Sequence, residues 1–238
     1  MPEGLVLLHG FSGTSHTWDR VVEQLPAERY RVVALDLPGH GRRADGPRPI
    51  TFAGCIADVL DRSPPRFSLC GYSMGGRIAL QVALAAPERV ARLVLLSSTA
   101  GIADAAERAA RRSADHALAE QLERGPFEDF IERWRTQPLF ADDPAEVGTR
   151  AREDQRRNRP DALAAALRGL GTGEMEPLWG RLGELAMPVT VVVGDRDAKF
   201  RALGERMVSE LPDAVLVVVA GGHGLPRENP AAVAAALR

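Results

Sequence analysis

The sequence predicts an α/β fold in which a mostly parallel β-sheet is flanked by helices and interrupted by an inserted helical segment. Runs rich in β-branched residues and leucine alternate with helical stretches towards both ends of the chain, as parallel strands and their crossover helices do. In the middle, Ala-, Glu- and Arg-rich stretches replace the strand runs. Apolar residues make up 45% and charged residues 26% of the 238 residues, which is typical of one compact domain.

The strand runs are predicted to be buried, because a parallel sheet is covered by helices on both faces. These runs are Leu5–Leu8, Arg31–Leu35, Phe67–Cys70, Leu93–Ser97, Val189–Val193 and Val215–Val219. The helical stretches that separate or follow them are Trp18–Leu25, Thr51–Arg62, Met74–Ala86, Lys199–Leu211 and Pro230–Leu237. We assign residues 1–100 and 182–238 to the core and 101–181, which holds several proline breaks, to a helical lid insertion within a single domain.

Composition excludes several classes of function. Thirty basic side chains against 32 acidic ones leave a net charge of −2, which disfavours nucleic acid and anionic membranes as partners. No apolar run approaches the roughly 18 residues of a membrane span, and no secretory pattern opens the chain, so we expect a cytoplasmic protein. Its two cysteines lack metal-ligand spacing, and no cofactor motif is visible. We therefore expect no metal and no cofactor. The sequence leaves the oligomeric state open and favours a monomer.

The strongest local signal is the segment Gly71-Tyr72-Ser73-Met74-Gly75-Gly76, which follows a strand run and precedes an apolar helix. It matches the G-x-S-x-G nucleophile elbow in the strand-to-helix context that this motif requires. Small residues on both sides of the serine let the backbone turn sharply while the hydroxyl is presented at the carboxyl edge of the sheet. Ser73 is therefore the candidate nucleophile or base.

An acid and a histidine follow later in the chain, each just after a strand run. Asp197 lies in Gly194-Asp195-Arg196-Asp197 and His223 ends Ala220-Gly221-Gly222-His223. Because the carboxyl ends of parallel strands share one edge, we expect both side chains near Ser73, where the imidazole could accept and return a proton. Asp195 is the competing acid, and we favour Asp197 because Asp195 is better placed as a turn former.

The loop Leu8-His9-Gly10-Phe11 closes the first strand run. Folds of this kind place one oxyanion donor there and the second on the residue after the nucleophile. We therefore assign the backbone N–H groups of Phe11 and Met74 to an oxyanion hole. The His9 side chain is expected to brace the loop by hydrogen bonds rather than to react.

Together these residues resemble the α/β-hydrolase superfamily over essentially the whole chain. Three further segments are similar to the 2-succinyl-6-hydroxy-2,4-cyclohexadiene-1-carboxylate synthases of menaquinone biosynthesis. They are Gly71–Arg77, the string from Trp134 to Phe140, and Gly194–Arg201. The resemblance implies a lyase that abstracts a proton from a cyclohexene carboxylate and releases pyruvate. The triad serine would act as a base activated by the histidine and the acid, without an acyl-enzyme.

The same resemblance implies a polycarboxylate substrate held by arginines, whose planar forks suit carboxylates. It points to Arg77, one helical turn beyond Ser73, to Arg111 with Arg112 as a near alternative, to Trp134 as a pocket residue and to Tyr72 beside the nucleophile.

The chain departs from the family's pattern at two positions. Gln155 stands where the family usually has an arginine, with Arg152, Arg156 and Arg157 around it, and Pro226 replaces a second histidine. The first departure leaves one carboxylate contact unassigned. A serine carboxylesterase or C–C bond hydrolase of this superfamily would use the same triad and is the main alternative. A non-catalytic receptor for a small molecule is a third function, which the intact Ser73, Asp197 and His223 disfavour.

Overall fold

A computed structural model describes residues 2–238 and contains one six-stranded sheet in which every strand pair is parallel. The strand order is β2-β1-β3-β4-β5-β6, so β3 lies inside the sheet between β1 and β4. The strands are β1 (Glu3–Leu8), β2 (Tyr30–Leu35), β3 (Phe67–Tyr72), β4 (Val90–Leu96), β5 (Val189–Gly194) and β6 (Ala214–Val219). The predicted α/β class is confirmed, because each predicted run coincides with one of these strands.

Helices connect the strands and cover both faces of the sheet. They are α1 (Asp19–Val22), α2 (Phe52–Asp61), α3 (Met74–Ala85), α4 (Ala105–Arg124), α5 (Phe127–Arg135), α6 (Ala145–Gln155), α7 (Pro160–Leu170), α8 (Ala198–Glu210), α9 (Leu225–Glu228) and α10 (Pro230–Ala236). Four of the five predicted helices agree with α2, α3, α8 and α10 to within one residue at each end. The start of α2 has a sequence cause, because the Thr51 side chain accepts a hydrogen bond from the Gly54 N–H at 3.1 Å.

The predicted helix over Trp18–Leu25 is wrong in extent. A 3₁₀ turn over Ser15–Trp18 precedes α1, which ends at Val22. The next residues form single turns that end before Pro26. A proline disfavours helical backbone in the residue before it. The helix therefore ends before Pro26, although the apolar spacing of this stretch would suit a longer helix.

The sheet separates two hydrophobic clusters, and alternate strand residues enter opposite clusters. In β1, Leu5 and Leu7 join the cluster formed with α1 and α10, whereas Val6 and Leu8 join the cluster formed with α2, α3 and α8. This period of two is what a strand covered on both faces requires. Both cysteines, Cys55 and Cys70, are buried in these clusters and unpaired.

The expectation that every strand is buried is wrong for both edge strands, β2 and β6. In the predicted run Arg31–Leu35 of β2 only Leu35 is buried. Val215 and Val218 are 55% and 41% exposed, because β6 is the last strand of the sheet and has a neighbour on one side only. Composition does not reveal this position, since the β6 run is as apolar as that of the interior strands.

Helices α4 to α7 lie in the predicted insertion, residues 101–181, which we call the helical segment. It has a small hydrophobic cluster of its own, which consists of Ala119, Leu122, Phe130, Ile131, Leu163, Ala164 and Leu167. Ala166, Leu170 and Trp179 instead pack into the main cluster on the α3 side of the sheet. The helical segment is thus attached to the sheet through its last helix and the residues after it. None of the helices described is long and apolar enough to span a bilayer.

Candidate active site

Ser73 occupies a strained turn between β3 and α3. Its backbone angles are φ 52° and ψ −111°, a combination that non-glycine residues rarely adopt and that usually marks functional sites. The turn depends on close approach of small residues. A Cβ atom on Gly71 would overlap the Gly75 carbonyl, and one on Gly75 would overlap the Leu8 carbonyl. The glycines of the motif therefore let the serine protrude at the end of β3.

Ser73, His223 and Asp197 form a continuous hydrogen-bonded chain. Ser73 Oγ lies 3.1 Å from His223 Nε2, and His223 Nδ1 lies 2.8 Å from Asp197 Oδ2. Because a carboxylate only accepts, Nδ1 carries the imidazole proton and Nε2 is free to accept the proton of the serine hydroxyl. His223 and Asp197 are buried, while Ser73 is partly exposed. The geometry is that of a base able to remove a proton from the serine.

The structure brings Asp197, and not Asp195, to the histidine. Asp195 is exposed, and its Oδ1 accepts a hydrogen bond from the Gly221 N–H at 2.9 Å, which fits the turn role expected of it. The second oxygen of Asp197 accepts a hydrogen bond from the Phe200 N–H at 3.3 Å. Asp197 therefore caps α8 as well as contacting His223. Lys199, the second residue of α8 and the only lysine of the chain, is exposed.

The two expected oxyanion donors lie at the ends of β1 and β3. Phe11 follows the end of β1, and Met74 is the first residue of α3. Within residues 2–238 neither backbone N–H donates a hydrogen bond to another group. Both N–H groups are thus available to an oxygen bound beside Ser73. That assignment remains a prediction.

Two buried neutral histidines brace the loop that carries Phe11. His9 donates through Nδ1 to the Gly10 carbonyl at 2.8 Å and accepts through Nε2 from the Leu37 N–H at 3.0 Å. His40 Nε2 accepts from the Ser12 N–H at 3.3 Å. Burial lowers the pKa of His9 and, together with the neighbouring His9, lowers that of His40 to about 3. Both rings therefore stay neutral and tie the loop after β1 to the loop after β2.

A pocket adjoins this loop and the helical segment. Four aromatic side chains line it, and the Phe140 ring packs edge-on against His223 with centroids 5.7 Å apart. Phe11, Tyr72 and Trp134, three of the predicted site residues, line it. The remaining lining residues are Gly10, Ser12, Gly13, Thr17, Arg135, Phe140, Asp143, Val147, Ala151, Gln155, Gly224 and Arg227. In the described part of the chain, no cluster of His, Cys, Asp and Glu is suited to hold a metal ion.

Comparison with known proteins identifies the family. The profile of the alpha/beta hydrolase family matches residues 5–236. The chain belongs to the alpha/beta hydrolase family. The structure of MenH from S. aureus is similar to this protein, with a TM-score of 0.92 and 31% identity over 99% of this chain and 91% of that one. The predicted α/β-hydrolase fold is therefore confirmed.

Curated relatives narrow the comparison. The 2-succinyl-6-hydroxy-2,4-cyclohexadiene-1-carboxylate synthase of Klebsiella pneumoniae subsp. pneumoniae is 35% identical to this protein over 98% of this chain and 91% of its own length. The synthase of the same name from Enterobacter sp. is 36% identical over 98% and 89%, respectively. The predicted resemblance to these synthases is confirmed.

The arginines predicted to bind substrate do not line the pocket. Arg77 is buried and donates through Nη1 to the Leu170 carbonyl of α7 at 2.9 Å. Arg111 donates to Asp115 Oδ1 at 2.8 Å. Burial and then the positive charge of Arg111 lower the pKa of Arg77 to about 10, so Arg77 stays charged at neutral pH. Arg112, the alternative to Arg111, pairs instead with Glu174 at 3.1 Å.

Two ion pairs in or beside the pocket were not predicted. Arg135 pairs with Asp143, and the Arg135 guanidinium lies 4.4 Å from the centre of the Phe140 ring. Burial raises the pKa of Asp143, and the hydrogen bond from Arg135 opposes that rise. Arg227 pairs with the buried Asp154 of α6. The only local signal for Arg227 was its position four residues after His223, and no sequence signal pointed to its partner, 73 residues away.

Proposed function

We propose that this protein is a 2-succinyl-6-hydroxy-2,4-cyclohexadiene-1-carboxylate synthase. It would eliminate pyruvate from a cyclohexene carboxylate that carries an enolpyruvyl ether and a succinyl chain. The observation that carries this proposal is the 35–36% identity, over nearly the full length of both chains, to curated synthases of that name. A small substrate with several negative charges also suits the cytoplasmic location expected from the sequence.

The geometry around Ser73 supports a proton-transfer role. His223 Nε2, 3.1 Å from Ser73 Oγ, would accept the hydroxyl proton while the serine oxygen removes a proton from the ring carbon next to the succinyl ketone. The electron pair released would form the new ring double bond and expel the enolate of pyruvate. The proton held by the triad would return to that enolate. No covalent intermediate is needed.

The oxyanion donors would act on the succinyl ketone. As the ring proton leaves, negative charge develops on the ketone oxygen, and the N–H groups of Phe11 and Met74 would stabilise it. One such donor is typically worth about 2.7–4 kcal/mol of barrier. The same hole would stabilise the tetrahedral intermediate of ester hydrolysis, so the triad and the hole alone do not separate a lyase from an esterase.

The test compares two reactions catalysed by the same preparation. We expect wild-type protein to release pyruvate from the enolpyruvyl precursor, measured with lactate dehydrogenase and NADH, with a kcat/KM at least about 10³-fold above that for p-nitrophenyl acetate. Ser73→Ala should abolish pyruvate release and leave the unfolding midpoint close to that of the wild type, because it removes one partly exposed hydroxyl. Efficient ester cleavage without pyruvate release would instead establish the esterase.

A further inference from the structure

The pocket is lined by two hydrogen-bonded pairs of polar side chains, Ser12 with Gln155 and Thr17 with Arg227, which we call the polar wall. All four line the pocket. Gln155 donates through Nε2 to Ser12 Oγ at 2.9 Å, and Arg227 donates through Nη2 to Thr17 Oγ1 at 2.8 Å. The polar wall faces the same space as the rings of Phe11, Trp134 and Phe140. The pocket thus combines aromatic side chains with the polar wall and with the Arg135–Asp143 pair.

Arg227 is held in place by a carboxylate that does not line the pocket. Asp154 is buried and accepts hydrogen bonds from the Thr14 N–H, the hydroxyls of Thr14 and Thr17, and Arg227 Nη2. These donors occupy both carboxylate oxygens. Among the residues described, Arg227 Nε and Nη1 donate to no group, and the Arg227 side chain remains 15% exposed. The guanidinium is therefore oriented in advance with two of its nitrogens available to a ligand.

Gln155 supplies a second unsatisfied group in the same wall. The residue is 3% exposed, and its Oε1 has no hydrogen-bond partner in the described chain. A buried polar atom without a partner is costly and calls for an explanation. If the amide turned over, Oε1 would accept from the Ser12 hydroxyl, and the NH₂ group would take the unsatisfied position. An oxygen of a bound anion would then complete its hydrogen bonding.

We propose that Arg227 and Gln155 together bind the carboxylate at the end of the substrate's succinyl chain. This inference rests on the proposed function. A succinyl arm has two methylene groups and a terminal carboxylate, which match the aromatic rings and the polar wall of the pocket. Arg227 thereby provides the positive charge, and the neutral Gln155 adds a hydrogen bond.

Arg135, the other arginine of the pocket, is less suited to this carboxylate. Its partner Asp143 also lines the pocket and would repel a second carboxylate, whereas the partner of Arg227 lies behind the wall. The distinction between the two arginines is thus set by where their aspartates lie.

The test uses two small probes whose binding does not depend on turnover. 4-Oxo-4-phenylbutanoate carries a ketone and a terminal carboxylate on a six-membered ring, and 4-oxo-4-phenylbutanamide differs only in its neutral end. Dissociation constants for both are measured by calorimetry with wild type, Arg227→Gln and Arg156→Gln. The last is a matched control, because Arg156 is adjacent to Gln155 but exposed and paired with Glu128.

We expect Arg227→Gln to weaken binding of the carboxylate probe by about 10- to 100-fold and of the amide probe by less than about threefold. Arg156→Gln should change neither by more than about twofold. Such a difference is a coupling between side chain and ligand group, which a purely structural role of Arg227 would not produce. Equal weakening of both probes, or no weakening of the carboxylate, would overturn the inference.

A second variant keeps the test decisive if Arg227→Gln does not fold. Gln155→Arg adds a positive charge to the same wall and should tighten binding of the carboxylate by about tenfold without tightening that of the amide. An unchanged or weakened carboxylate affinity in a folded Gln155→Arg protein would contradict the proposed subsite. Failure of wild type to release pyruvate would refute the proposed function separately, because the probe affinities are measured without turnover.

Discussion

Replacing Asp197 with asparagine tests the hydrogen-bonded chain, because asparagine keeps the shape of the side chain but has only one acceptor oxygen. Asp197 now uses one oxygen for His223 at 2.8 Å and the other for the Phe200 N–H at 3.3 Å. If the asparagine oxygen stays on Phe200, its NH₂ group faces His223 Nδ1. The imidazole proton must then move to Nε2, and the histidine can no longer accept the proton of Ser73. If the amide turns over, its NH₂ group meets the Phe200 N–H instead.

The size of the effect follows from these alternatives. A hydrogen bond to a charged group is worth about 1.5–3 kcal/mol, or about one to two decades of rate at 1.36 kcal/mol per decade. The wrong tautomer also deprives Ser73 of its proton acceptor, which slows the reaction further than the loss of one hydrogen bond. We therefore expect kcat for pyruvate release to fall by about 10³- to 10⁴-fold. Asp195→Asn is the matched control. Its exposed side chain keeps an acceptor for the Gly221 N–H, so kcat should change by less than about threefold. Equal losses in the two variants, or a larger loss in Asp195→Asn, would refute the reasoning.

Three further predictions concern the elbow, the braced loop and the buried arginine. Gly71→Ala should destabilise the protein by about 1–3 kcal/mol or more in urea unfolding, because the new methyl group would overlap backbone of α3, whereas Gly183→Ala, with open space around it, should stay within about 0.5 kcal/mol of wild type. Burial and the neighbouring His9 lower the pKa of His40 to about 3 in the folded protein, whereas its ordinary value is about 6.5. Below pH 6.5 the unfolded chain therefore binds a proton at His40 that the folded protein does not, and the free energy of unfolding falls by about 1.36 kcal/mol per pH unit. Wild type should therefore lose about 2 kcal/mol more than His40→Gln between pH 7.5 and 5, and equal losses would contradict this sign. Arg77 donates to the Leu170 carbonyl and does not line the pocket, so Arg77→Lys tests the substrate contact that the sequence implies. Loss of the planar fork on a substrate carboxylate should reduce kcat/KM for the enolpyruvyl precursor by about 10- to 100-fold, and an unchanged value would show that the side chain does not contact substrate.

Sequence patterns predicted the parts of the molecule that depend on local chemistry. Interior parallel strands need continuous apolar runs, and the elbow needs its glycines, so β3 and Ser73 were placed correctly from a few neighbouring residues. Asp197 and His223 followed because chain order and strand ends restrict where a triad can form. The edge position of β6 was not predictable in this way, because an edge strand is defined by the absence of a neighbour and not by its own residues.

The pocket was the least predictable part of the site. Its polar wall joins residues distant in the chain: Arg227 contacts Thr17 across 210 positions and Asp154 across 73. No periodicity connects such residues. Arg227 itself lies in α9, just after His223, and not among the sequence neighbours of Gln155 in the helical segment.

The single lysine of this arginine-rich chain is a site for chemical labelling. Lys199 is exposed at the start of α8, two residues after Asp197, so once the more acidic α-amino group has been blocked near neutral pH, an amine-acylating dye at higher pH would label one side chain beside the triad. Thiol reagents would not compete, because Cys55 and Cys70 are buried, and burial raises the pKa of both thiols, that of Cys55 to about 12. The arginines remain charged and unmodified by such reagents. A fluorophore could thus be attached next to the reaction centre in the unaltered sequence, and its emission would follow ligand entry without any engineered residue.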